Sequence, residues 1–194
     1  MNWKEKLVSS MELTNKGGRL QGHALIDACK ILDIKPKMIA EVGVYQGKTT
    51  RQLLKAFPDA VLTLIDPWAA QDLPGRLYNR TGPEDWESIY RAVCDEFAGH
   101  TIIRTDSVTA AHMMQPDSFD LVFLDGDHCY QAVRQDIIMW SRLVRPGGLL
   151  CGHDYSTHGH NKGVKRAVDE LLPDQVVIGS RKTWIHQIRG NDGQ

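Results

Sequence analysis

The 194-residue chain lacks the marks of several protein classes. It has no basic excess, with 23 lysines and arginines against 24 aspartates and glutamates. A polyanion-binding surface needs a cationic surplus, so neither nucleic acid nor an anionic membrane is an expected partner. No apolar run approaches the roughly 20 residues that span a bilayer. The first residues, Met1-Asn-Trp-Lys-Glu-Lys-Leu7, are charged from the start and do not read as a signal peptide. Cysteine is scarce. Cys29, Cys94, Cys129 and Cys151 form no Cys-x-x-Cys pair and no zinc spacing, and each lies in an apolar segment. Buried reduced thiols and a cytoplasmic location are the expectation. There is no internal repeat, no low-complexity stretch, and no Gly-x-Gly-x-x-Gly dinucleotide signature.

What is there begins at Met38. Met38 to Val42 is short and apolar, as a buried parallel strand should be, and Lys48 to Phe57 carries Leu53, Leu54 and Phe57 at helical spacing. Between them, Glu41-Val-Gly-Val-Tyr-Gln-Gly47 is a glycine turn. Glycine tolerates positive φ and lets backbone approach a bulky ligand, and a strand feeding such a turn into a helix is a common nucleotide-binding start in open α/β sheets. Glu41 narrows the ligand. A carboxylate there repels a pyrophosphate and welcomes a cationic group or free hydroxyls.

Further strands follow at regular spacing. Ala60 to Ile65 ends in Asp66-Pro67-Trp68, and Asp66 lies 19 residues past Gly47, where a carboxylate commonly accepts hydrogen bonds from a ribose diol. Trp68 suits either a ligand or the core. Thr101 to Arg104 leads to Asp106 and Ser107, which fit contacts to an adenine or the capping of a helix. Phe119 to Leu124 is a strongly apolar strand whose tip carries Asp125, Asp127 and His128. Leu149 to Gly152 ends in His153-Asp154-Tyr155, with His158 and His160 beyond. So many ionisable groups at buried strand ends are costly unless a cation or substrate organises them. Gln175 to Ile178 and Thr183 to Ile188 read as a closing β-hairpin. Helices are expected over 3–13, 19–33, 84–97, 108–114, 130–143 and 161–172. The first two could cap the site or pad the sheet, and padding is the preferred reading. Ala69 to Pro83 is an irregular insertion with Arg76, Tyr78 and Arg80, of the length that lids and substrate walls take.

Glu41-x-Gly-x-x-x-Gly47, Asp66, Phe119-Asp-Leu-Val-Phe-Leu-Asp125, Arg145-Pro-Gly-Gly148 and the hairpin together resemble the class I S-adenosylmethionine-dependent methyltransferases. Asp125-Gly-Asp-His-Cys-Tyr130 with Gly152-His-Asp-Tyr155 narrows the likeness to a small subfamily carrying Asp-Gly-Asp-His-x-Tyr and Gly-His-Asp-Tyr. The resemblance implies one α/β domain over residues 1–194, with N-terminal helices in 1–37 and a cofactor-binding core in 38–188. Its fold would be a Rossmann-like open sheet of seven strands, mostly parallel with an antiparallel terminal hairpin and helices on both faces. S-adenosylmethionine would be the cofactor. Glu41, Gly43 and Gly47 would line its methionine end, with Val44, Tyr45 and Thr49 completing the turn. Asp66, Pro67 and Trp68 would meet the ribose, and Asp106 and Ser107 the adenine. Asp125 would stand at the reaction centre.

The subfamily is similar to metal-dependent O-methyltransferases, which implies a divalent ion at Asp125, His153 and Asp154. Those relatives usually carry an acid where His153 stands. Imidazole suits manganese, iron or zinc better than magnesium, so either the ion is a softer one or His153 is a base and no ion binds. The expected reaction is O-methylation of a small hydroxylated molecule, with Asp125, His128 and His153 as catalytic candidates. Metal-independent N- or carboxyl-methylation, a nicotinamide-dinucleotide module and a non-catalytic cofactor-binding module stay open. The acceptor and the oligomeric state, homodimer or otherwise, are not legible.

Overall fold

A strand buried on both faces must be apolar at successive positions, and the central strands of this chain are. The computed structural model describes residues 2–14, 21–69, 85–157 and 162–189. In chain order these form α1 (Trp3–Thr14), α2 (Gln21–Ile31), β1 (Met38–Val42), α3 (Lys48–Ala56), β2 (Val61–Asp66), α4 (Trp86–Glu96), β3 (Thr101–Arg104), α5 (Ser107–His112), β4 (Phe119–Leu124), α6 (Tyr130–Ser141), β5 (Val144–Gly152), α7 (Lys162–Leu171), β6 (Val177–Ile178) and β7 (Trp184–Gln187). The seven strands make one sheet in the order β3-β2-β1-β4-β5-β7-β6. β1 to β5 pair in parallel, and β7 runs antiparallel to both β5 and β6. The expected Rossmann-like architecture is the one observed.

Side chains alternate across the sheet with the period of two that strand geometry imposes. Ile39, Leu62, Leu64, Leu121, Phe123 and Leu149 enter a core built with Leu7, Leu25, Cys29, Leu53, Val93 and Phe97 of α1 to α4. Ala40, Val42, Ile65, Val122 and Leu150 enter a second core with Ala110, Val133, Ile137, Trp140 and Val168 of α5 to α7. Described side chains of α1 and α2 thus pack against the first of these faces of the sheet.

The chain runs from β1 outward to β3, then returns to place β4 on β1's other side. That reversal leaves a crevice at the carboxyl ends of β1 and β4, where open α/β sheets bind ligands. Backbone bonds continue the ladder past the strand ends. Gly43 N–H donates to Ile65 O at 2.8 Å, Asp125 N–H to Val42 O at 2.8 Å, and His153 N–H to Leu124 O at 3.1 Å. Asp66, Gly43, Asp125 and His153 thus follow one another across neighbouring tips.

Three details differ from the expectation. β5 begins at Val144, taking in Arg145-Pro-Gly-Gly148 instead of starting after it. A register shift between Phe119 and Leu121 lets β5 bend there, with Gly147 at φ 84°. β6 has only two residues, because Gln175 is drawn away: its N–H bonds Leu172 O and its carbonyl meets His186 Nδ1 at 2.8 Å. Cys94 and Cys129 are half-buried, whereas Cys29 and Cys151 are fully buried; all four are free thiols. Residues 70–84, which hold Arg76, Tyr78 and Arg80, and residues 158–161, which hold His158 and His160, lie outside the described residues. Among the described residues, no helix is long and apolar enough to cross a membrane.

Candidate active site at the strand tips

The glycine turn is shaped by contacts with protein. Gly43 has φ 87°, and a Cβ there would sit 2.3 Å from the carbonyl oxygen of Asp125. Gly47 has φ 71° and would drive a Cβ to 2.4 Å from the Phe97 ring. Both demands exclude any side chain. The closeness of Gly43 to Asp125 brings the cofactor turn of the sequence reading against the acidic tip of β4.

Glu41 is buried, 1% exposed, and accepts a hydrogen bond from Thr50 Oγ1 at 2.6 Å. Burial pushes its carboxyl up to about 8; the Thr50 bond pulls back, and the negative Asp125 and Asp66 nearby push it further up. At neutral pH the carboxyl holds a proton, and a cation placed beside it would favour the ionised form. Thr49 is also buried, while Tyr45 stands at the surface of the turn with φ 51°.

Asp66 organises the next loop. Its Oδ2 accepts from Tyr45 N–H at 2.9 Å and its Oδ1 from Trp68 N–H at 2.7 Å. Burial raises its pKa, against the pull of these amides. A carboxylate has about four acceptor sites, so capacity for a diol remains. The Trp68 ring is fully buried, 5.2 Å from the Tyr90 ring, and its Nε1 donates to Tyr45 O at 2.8 Å. Of the two roles open to Trp68, its ring takes the core. Pro67 is half-buried, and its carbonyl faces Arg104 Nε at 3.4 Å.

Asp106 and Ser107 have partners within the protein. Asp106 caps α5, accepting from Thr109 N–H at 2.9 Å and Thr109 Oγ1 at 2.6 Å. Ser107 Oγ donates to Asp136, a buried carboxyl on α6 that burial pushes up to about 6.

The tips of β4 and β5 bring four ionisable groups together. Asp125, His128, His153 and Asp154 are 17%, 25%, 12% and 18% exposed at the side chain. His128 Nε2 lies 3.6 Å from Asp125 Oδ1 and 3.3 Å from Asp154 Oδ2. His153 Nδ1 lies 3.7 Å from Asp125 Oδ1 and 3.2 Å from Asp154 Oδ1. Burial raises the pKa of Asp125, with the two imidazoles opposing it. Burial acts likewise on Asp154, but the His153 bond, both imidazoles and Lys182 outweigh it and leave its pKa lowered. Asp154 holds φ 60°, the left-handed region, a strain that persists where surroundings over-determine it and that clusters at functional sites. One ligand atom from each of Asp125, His128 and Asp154 lies within 4.8 Å of the others, a spacing and donor set that fit a divalent ion. His153, named in the expected ligand set, stands 3.7 and 3.2 Å from the same two carboxylates, and the three-residue group that closes within 4.8 Å takes in His128.

Residues 40–155 match the family described as Methyltransferase domain. The chain belongs to the methyltransferase-domain family. Several solved methyltransferases share the fold of this methyltransferase domain at low identity. Methyltransferase PaMTH1 of Podospora anserina, bound to SAH, aligns over 96% of this chain and 88% of its own, with TM-score 0.63 and 14% identity. The O-methyltransferase TomG of Streptomyces achromogenes, in complex with SAM, aligns over 96% and 90%, with TM-score 0.60 and 16% identity. A Bacillus cereus O-methyltransferase in complex with SAH aligns over 96% and 90%, with TM-score 0.58 and 15% identity. A 59-residue stretch is 34% identical to an uncharacterised protein of Acanthamoeba polyphaga mimivirus, covering 30% of this chain and 27% of that protein.

Three residues of the methyltransferase domain were not singled out from sequence. Thr50 holds Glu41. Asp136 is a carboxyl on the apolar stripe of α6, three residues after Val133, and that break in periodicity is a readable signal. Arg104 ties the Asp66 loop to α4: its guanidinium lies 4.5 Å over the Tyr90 ring, 2.7 Å from Glu87, and donates to Trp68 O at 3.1 Å. Nothing in the sequence around Arg104 marks it.

Proposed function

We propose that this methyltransferase domain uses S-adenosylmethionine to methylate a hydroxyl group of a small molecule, assisted by a divalent ion held at Asp125 and Asp154. The observation that carries the reading is the contact between Gly43 and Asp125, which sets the glycine turn directly against the Asp–His cluster. A cofactor seated along the turn would bring its reactive end to that cluster.

Each residue then has a task. Glu41 offers a carboxyl that ionises as a sulfonium or ammonium arrives. Asp66 accepts from ribose hydroxyls while its amide bonds hold the loop in shape. Methyl transfer is an in-line displacement, in which the acceptor oxygen forms a bond to the methyl carbon as the carbon–sulfur bond breaks. Placing donor and acceptor at attack distance accounts for much of the acceleration. A bound divalent ion would favour the alkoxide or phenolate form of a coordinated hydroxyl. His153, oriented by Asp154 through Nδ1, would take the displaced proton. A groove of about 530 Å³, lined by Ser156, Thr157, Lys162, Lys165, Arg166, Asp169 and Glu170, opens between the loop after β5 and α7, and its lining includes none of Asp125, His128, His153 or Asp154.

The same His153–Asp154 pair favours a second reading, in which the imidazole is the base of a metal-independent N- or carboxyl-methyltransferase. A methyl-transfer assay over small hydroxylated, amine and carboxylate acceptors separates the two. Methylated hydroxyl product that is lost with a strong chelator and restored by a divalent ion supports the first. Transfer to nitrogen or carboxylate that is indifferent to the chelator supports the second. A non-catalytic cofactor-binding module would give no product with any acceptor.

A further inference from the structure

We propose that His128 is a direct ligand of the divalent ion and that the site consequently selects a nitrogen-preferring ion such as zinc or cobalt over magnesium, leaving His153 to the acceptor's proton. This rests on the metal-assisted reading above.

A tetrahedral ion with ligand distances of about 2.1 Å separates its donors by about 3.4 Å, whereas neighbouring donors in a magnesium octahedron stand about 3.0 Å apart. His128 Nε2 stands 3.3 Å from Asp154 Oδ2 and 3.6 Å from Asp125 Oδ1. Those edges are close to the tetrahedral spacing; His153 Nδ1 stands at similar distances, 3.7 Å from Asp125 Oδ1 and 3.2 Å from Asp154 Oδ1, but among the described residues it is His128 that closes a three-residue group with both aspartates within 4.8 Å. Magnesium is strict about its octahedron and prefers oxygen donors. Imidazole nitrogen shifts preference toward the later first-row ions.

The two imidazoles occupy different sides of Asp154. Oδ2 faces His128 and Oδ1 faces His153. The strained backbone of Asp154 presents the carboxylate between the two rings. His128 is held independently. Asp127 Oδ1 accepts from Cys129 N–H at 2.6 Å, which fixes the turn on which His128 sits, and α6 begins at the next residue, Tyr130. The carbonyl of His128 also packs tightly against α7, where a Cβ on Gly163 would come within 2.5 Å of it. An ion taken up between Asp125, His128 and Asp154 would use both an aspartate pair and this fixed ring. Asp154 Oδ1 then remains for His153, the arrangement of a carboxylate that orients a neighbouring imidazole.

The test is titration of the metal-stripped full chain with magnesium, zinc and cobalt by calorimetry, with the visible ligand-field bands of bound cobalt recorded in parallel. Wild type, His128→Asn, His128→Asp, His153→Asn and Asp125→Asn are compared. Thermal melts of each variant confirm that it is folded. Outer partners of metal ligands are worth about 10–100-fold in affinity, so loss of a direct ligand should cost on the order of 100-fold. We expect one zinc or cobalt per chain, bound at least about 100-fold more tightly than magnesium. His128→Asn should lose most of that advantage and change the cobalt bands. His128→Asp should restore magnesium at the expense of zinc. His153→Asn removes only the outer partner of Asp154 and should cost about 10-fold, less than His128→Asn, with the cobalt bands unchanged in type, and Asp125→Asn should abolish binding.

Magnesium binding as tightly as zinc, with His128→Asn indistinguishable from wild type, would overturn the inference while leaving a metal-assisted enzyme intact. The same holds for zinc binding that depends on His153 in place of His128. Absence of binding by all three ions would remove the metal-assisted reading itself.

Discussion

Replacing Glu41 by glutamine should flatten the dependence of folding stability on pH. In the native protein the Glu41 carboxyl is pushed up to about 8 by burial, from an ordinary 4.5. The folded chain therefore binds a proton that the unfolded chain has already released over this window. Stability from this group is complete below about pH 4.5 and is lost as pH rises through about 8. Within the window, one proton corresponds to a slope of about 1.4 kcal/mol per pH unit, or on the order of 5 kcal/mol across it. For a chain of this size, a kcal/mol is worth about 2–4 °C, so wild type should lose about 3–5 °C per pH unit relative to the variant. Thermal melts of the cofactor-free proteins from pH 5 to 9 read the difference directly. Other titrating groups, Asp136 included, are common to both and cancel. Glutamine can still accept from Thr50, so the bond at 2.6 Å has a replacement. Two melting curves that run parallel through pH 5 to 8 would refute the assignment of a buried, protonated Glu41. The variant should also bind S-adenosylmethionine more weakly, having lost the group that ionises toward the cation.

Gly43→Ala forces a Cβ to 2.3 Å from Asp125 O at φ 87°, and should cost at least about 2–3 kcal/mol, seen in denaturant unfolding. Asp66→Asn disturbs the acceptor of two loop amides, and should lower stability by about 1–2 kcal/mol and cofactor affinity more than tenfold by calorimetry. Asp136→Asn removes a buried carboxyl raised to about 6, so its stabilising effect should grow as pH rises from about 4 to 6 and then level off. Arg104→Ala strips the bonds that tie the Asp66 loop to α4, and should cost about 1–2 kcal/mol and weaken cofactor binding without affecting metal affinity.

Much of this was legible in the chain because periodicity and chemistry agreed. β1 and β4 are apolar at successive positions, which only a strand covered on both faces tolerates, and their tips concentrate Glu41, Asp125 and His128. Glycines 43 and 47 announced a turn needing positive φ, but their steric partners, Asp125 and Phe97, are remote in sequence and could not be read. Trp68 illustrates the same limit. An aromatic residue after a strand suits core or ligand equally, and only Tyr90 on a later helix decides it. Asp106 and Ser107 carried two meanings, and the cap and the Asp136 bond are the ones the fold displays. That His128 as well as His153 approaches Asp125 and Asp154 follows from how the turn after β4 leans on α7, a contact between segments more than 30 residues apart. The extent of β6 depended on competition for one residue, Gln175, between the end of α7 and the sheet.

Binding of S-adenosylmethionine at the tips of β1 and β4 is the most direct test. Calorimetry in two buffers of different ionisation enthalpy, near pH 7, should show one molecule bound per chain. It should also show release of close to one proton, as Glu41 ionises against the arriving cation, and Glu41→Gln should bind with no such release. A folded, unaggregated protein that gives no binding heat with S-adenosylmethionine or its demethylated product would contradict the account.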